Sequence, residues 1–133
     1  MKLKILTLML GIVLFNLNCF SQLNYQTITE EFFKTYSKNP LDAYEYLFQG
    51  NKWIEKSKIE KSKIDFREFL KDLGEYCGYE LIASNQLGDS YVISSFLVKY
   101  ERQPYRIELE FYKPKEDWKI QNFSYDTNFD DEF

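Results

Sequence analysis

Apolar residues recur at helical spacing through the first half of the chain and at alternate positions through the second. Ile28, Phe32, Phe33 and Tyr36 lie three to four apart, behind a capping box Thr27-Ile28-Thr29-Glu30 that places Thr27 at the N-cap. Asn39 and Pro40 supply the cap and first position of a second helix, whose stripe is Leu41, Tyr44, Leu47 and Phe48 and whose stop is Gly50. After Trp53 the pentad IEKSK occurs twice, at 54–58 and 59–63, and its lysines and glutamates predict a solvated helix or loop. Ile64, Phe66, Phe69, Leu70 and Leu73 form a third stripe that ends at Gly74.

From Tyr79 the period falls to two. Residues 80–84 predict a short strand, 85–89 a turn, 90–101 a long strand and 102–104 a second turn. Residues 105–113 alternate, with Tyr105, Ile107, Leu109 and Phe111 on one face and Arg106, Glu108, Glu110 and Tyr112 on the other. A turn at 114–117 leads into a last strand, 118–125. The pattern predicts an α+β fold: three N-terminal helices packed on one face of a curved four-stranded antiparallel meander.

The N-terminus reads as an address. Lys2 and Lys4 precede an apolar run over 5–15, and Cys19-Phe20-Ser21 fits a signal-peptidase cut after Ser21. The expected organisation is a signal peptide at 1–21, one domain at 22–126 and an acidic tail at 127–133. Lipid anchoring at Cys19 is the competing reading, but Asn16, Leu17 and Asn18 fit that processing poorly. Export to the periplasm or the exterior is therefore the expectation.

Removing the first 21 residues with their two lysines leaves 112 residues carrying 15 Lys+Arg against 21 Asp+Glu, a formal charge of −6. That acidity disfavours nucleic acid as a partner. One cysteine remains, Cys77, so no intramolecular disulfide can form, and its apolar neighbours suggest a packed thiol. The chain has no histidine, which removes Ser-His-Asp and Cys-His catalysis and imidazole metal ligands. No cofactor motif and no metal set is present. The tail begins D-x-N-x-D at Asp126, Asn128 and Asp130, but Asp131 stands where a calcium loop needs glycine, so a solvated tail is expected.

Helices followed by a meander ending W-K-I-Q-N-F, together with Asn39-Pro40-Leu41-Asp42-Ala43, Gly88-Asp89-Ser90 and Asp117-Trp118-Lys119-Ile120, resemble the nuclear transport factor 2-like superfamily of α+β rolls. The resemblance spans about residues 25–126 and extends to small secreted bacterial proteins of that fold. It implies a pocket between helices and sheet, and often pairing through the sheet. The superfamily's isomerases and dehydratases use a pocket Asp or His with a Tyr. Here the mid-strand acids are Glu108 and Glu110, which share the face of Arg106 and read better as an exposed stripe than as a general base.

Two surfaces stand out. Phe96, Leu109, Phe111 and Trp118 are expected to line the pocket or core. Tyr91, Tyr112, Phe123 and Tyr125 are expected to form an aromatic partner surface on the opposite sheet face. The leading functional expectation is a secreted, non-enzymatic binding module for a small apolar ligand or a protein partner, with a homodimer through the sheet possible. The alternative is a periplasmic inhibitor or immunity-type protein, steered to a basic target by its charge. An isomerase- or dehydratase-like enzyme ranks third.

Overall fold

Residues 24–133 are described by a computed structural model, and the expected signal peptide and Cys19 lie outside them. Helix α1 (Tyr25–Tyr36) starts one turn earlier than expected. Asn24, not Thr27, is the cap: its side-chain oxygen accepts the Thr27 amide at 2.7 Å. Asparagine caps as well as threonine does, and here it comes first. Helix α2 (Pro40–Gln49) follows its sequence signals, with Asn39 Oδ1 accepting the Leu41 amide at 3.0 Å and Pro40 in the first turn.

Helix α3 (Lys56–Phe69) takes in most of the repeated pentad and stops short of Leu70. Its stripe is narrower than expected: Phe66 is buried, but Ile64 is 54% exposed. The chain then reverses through Asp72 and Gly74, both at positive φ. At Gly74 a Cβ would lie 2.9 Å from Glu101 Oε2, which is fixed by accepting the Glu75 amide at 3.0 Å.

The sheet runs β1 (Tyr76–Leu87), β2 (Tyr91–Tyr100), β3 (Tyr105–Tyr112), β4 (Lys119–Asp126), in spatial order 1-2-3-4. All neighbours are antiparallel and the sheet is open, which gives the α+β architecture. Strand β1 is far longer than the expected residues 80–84. Asn85 pairs with Ile93 and Leu87 with Tyr91, so the expected turn contracts to 88–90, with Gly88 at φ 58°. Register breaks between Tyr76 and Gly78 and between Leu81 and Ala83 interrupt the alternation that would have revealed the strand. Cys77 lies in the first break. It is exposed, not packed, and its thiol donates to the Glu75 carbonyl at 3.3 Å.

A third bulge corrects the face assignment of β4. Ile120 pairs with Phe111 and Asn122 with Glu110, leaving Gln121 as the extra residue. The extra residue flips the pattern, so Ile120, Phe123 and Tyr125 all turn toward the helices. Phe123 meets Phe32, Tyr44 and Phe66, while Tyr125 meets Phe66 and Phe69. On the other side of the layer, the Phe33 ring stacks on Tyr79 at 3.7 Å and meets Phe96 edge-on.

The interior is therefore largely aromatic. Phe32, Phe33, Phe66, Val98, Tyr105, Ile107, Leu109 and Phe111 are all at or near zero exposure. Its polar groups are paired: the Tyr36 hydroxyl bonds those of Tyr100 at 2.7 Å and Tyr105 at 2.5 Å. Burial raises the Tyr36 and Tyr105 phenols far above their ordinary range, so both stay neutral.

The tail is not simply solvated. A short turn of helix, Asp130–Glu132, returns it to the sheet's outer face. There the Arg106 guanidinium bonds Asp131 at 2.8 Å, Glu132 at 2.7 Å and Asp126 at 3.0 Å. Arg106 is thereby covered rather than part of an exposed stripe: three carboxylates bond the terminal nitrogens of a cation that alternation places outside the core, while its buried Nε has no partner among the described residues.

Candidate functional site

The loop between α2 and α3 is built around one buried polar side chain. Asn51 is 5% exposed; its Nδ2 donates to the Ile120 carbonyl of β4 at 2.7 Å, and its Oδ1 accepts the Trp53 amide at 3.1 Å. This pin fixes the loop against the sheet edge and leaves Trp53 standing out, 76% exposed. A Trp this exposed on an anchored loop forgoes the large burial its ring would otherwise contribute. Lys52 lies over the ring, 5.2 Å from its centre.

Two clefts flank this loop. The larger, about 650 Å³, opens between α2 and α3 and is lined by Phe48, Ile54 and Ile59, with Glu45, Gln49, Asn51, Lys52, Lys56 and Glu60 around them. The smaller, about 360 Å³, opens toward β4 and shares Phe48, Ile54 and Ile59 with the first while adding Tyr44, Trp53 and Phe123. Phe48, Ile54 and Ile59 form the common wall of one bent groove between helices and sheet edge. The larger volume is in the range of small-molecule sites.

The residues singled out in the sequence are distributed differently. Phe96, Leu109 and Phe111 are buried in the hydrophobic core. Trp118 is half-buried, edge-on to Tyr25 at 5.2 Å, and borders a cleft of about 290 Å³ with Ile28 and Ile120. Of the expected aromatic surface, only Tyr91 and Tyr112 share the outer face, with ring centres 6.3 Å apart; Phe123 and Tyr125 pack under the helices.

Beside this pair the outer face carries polar groups that bond one another. Tyr91 donates to Glu110, which pushes its phenol up to about 12, and Ser95 donates to Glu108 at 3.2 Å. Both glutamates thus face away from the helices. Further along, Leu81, Ile82, Leu97, Pro104, Phe129 and Phe133 border a shallow apolar depression of about 530 Å³ between β1 and the tail.

Periodicity alone does not single out Trp53 or Asn51. The available signal was an aromatic directly after Asn-Lys, between two amphipathic helices and outside both stripes. Among the described residues, no cluster of three Cys, Asp or Glu side chains is placed to hold a metal ion, and no helix is long and apolar enough to cross a membrane. No family model, curated protein or solved structure matches the chain.

Proposed function

We propose that the chain is an exported binding module without catalytic activity, and that it holds a small apolar ligand in the groove beneath Trp53. The observation that carries this reading is the cleft of about 650 Å³ walled by Phe48, Ile54 and Ile59, beside an exposed Trp on a loop pinned by Asn51. An apolar ligand entering there would cover wall and indole together, removing surface that folding alone leaves wet. The likeness to nuclear transport factor 2-like rolls belongs to the same proposal and supports a ligand seat between helices and sheet.

The test is a titration of the chain, residues 22–133, with the uncharged apolar fluorophore N-phenyl-1-naphthylamine. Saturable binding that Ile59→Asn abolishes, with the circular dichroism spectrum unchanged, supports the reading. Absence of binding, or binding indifferent to Ile59→Asn, contradicts it.

A second reading, docking of a protein partner in the manner of an inhibitor, has its own observation. Edge strand β1 presents Leu81, Ile82 and Leu87 at 59%, 37% and 58% exposure, and residues 81–87 carry no charge. Such an edge suits strand addition by an extended partner segment. Its test is substitution of Leu81 and Leu87 by lysine, expected to abolish partner capture while leaving fluorophore binding intact.

A further inference from the structure

The charges around the groove are unevenly answered. Of its three acids, Glu45 forms an ion pair with Lys63, Glu60 adds its field to that lysine from one turn away on α3, and Glu55 stands at the start of α3. Both effects hold the Lys63 ammonium above its ordinary range, the bond to Glu45 most strongly. The lysines of the lining are Lys52, Lys56 and Lys58. Lys52 rests over the Trp53 ring, and Lys56, in the first turn of α3, makes no ion pair with a described residue. The α3 N-cap, Glu55, makes no side-chain bond to the helix amides, and its carboxylate offsets the positive end of the helix at this mouth. Over both clefts Lys52, Lys56, Lys58 and Lys63 outnumber Glu45, Glu55 and Glu60 by one, a slight cationic excess on an apolar groove in a chain of formal charge −4.

Resting on the ligand-binding reading above, we infer that the ligand is a free single-chain amphiphile with an anionic head, a medium-chain carboxylate in kind. Its chain lies along Phe48, Ile54 and Ile59 and its head at Lys52 and Lys56. The groove's size suits one chain: at roughly 30 Å³ per group at liquid density, about ten carbons fill half of 650 Å³ and leave room for hydration of the head. Trp53 and Lys52 then close over the junction of chain and head, an amphipathic position that suits the indole.

The experiment is calorimetric titration of the chain with decanoate and with decanol, below their aggregation thresholds, in parallel with the Lys52→Gln/Lys56→Gln double variant. Decanoate is expected to bind about fivefold to tenfold more tightly than decanol, as two exposed charge contacts allow. In the double variant the two are expected to bind within about twofold of each other, because those contacts are gone. Equal affinities in the parent chain overturn the anionic head but leave the ligand-binding reading standing. Failure of both ligands overturns that reading as well. Sedimentation with phosphatidylglycerol vesicles, without affinity for decanoate, overturns the inference in favour of a bilayer surface.

Discussion

The two ends of the helical layer treat polar groups in opposite ways. At the closed end, the Tyr36 hydroxyl bonds those of Tyr100 and Tyr105 inside an aromatic packing, and Tyr36 and Tyr105 are almost fully removed from water. At the open end, Asn51 is buried and satisfied, but it holds a loop whose Trp53 stays in solvent above an apolar wall. The first arrangement satisfies polar atoms in order to seal the core. The second satisfies one polar atom in order to keep apolar surface accessible. Stability is thus expected to concentrate at the tyrosine end and binding at the Trp53 end.

Substitutions that separate the two ends sharpen this contrast. Phe66 joins them, touching Tyr44, Phe123 and Tyr125 from the middle of the layer. Phe66→Ala is expected to cost about 3–5 kcal/mol in urea unfolding, and a cost near zero would mean that the aromatic packing does not carry the fold. Tyr36→Phe strands two phenols at the closed end; about 1–3 kcal/mol should be lost while fluorophore affinity is unchanged. Asn51→Ala frees the Ile120 carbonyl and the Trp53 amide. About 1–2 kcal/mol should go, but here affinity should fall too, and a loss of stability alone would break the contrast.

Smaller effects come from the surface. Arg106 holds the Asp131 carboxylate below the ordinary range, so the tail contact contributes at pH values above the unfolded-state value of about 4 and fades as pH falls through the lower folded value. Amides of residues 129–133 should therefore exchange faster in acid, measured by hydrogen exchange against the pH-corrected intrinsic rate. The exposure of Asp131 keeps the effect on global stability small. Smallest of all in stability, Trp53→Ala should leave the unfolding free energy within about 0.5 kcal/mol of the parent while removing most of the binding.

The legibility of this fold follows the regularity of its elements. Strand β3 has no bulge within it, so the alternation from Tyr105 to Phe111 reads directly onto the core. Asn39-Pro40 locates α2 because cap and ring act locally. Strands β1 and β4 depart from the simple alternation where bulges insert a residue, and a single insertion inverts every later side chain, so Phe123 and Tyr125 face the helices rather than the outside. The tail's return to Arg106 spans 25 residues of sequence separation, from Arg106 to Asp131, and leaves no periodic trace. The groove was invisible for the same reason. Its wall unites residues from α2, the loop and α3, and its anchor is a single Asn reaching the backbone of β4.

The most direct measurement is the emission of Trp53 in a Trp118→Phe chain, where it is the sole tryptophan, during titration with decanoate. An indole 76% exposed in the free protein should move to shorter wavelength as ligand covers it, saturably and at the affinity found by calorimetry. Emission that stays at the wavelength of a solvated indole while ligand binds would place the ligand elsewhere and contradict the account.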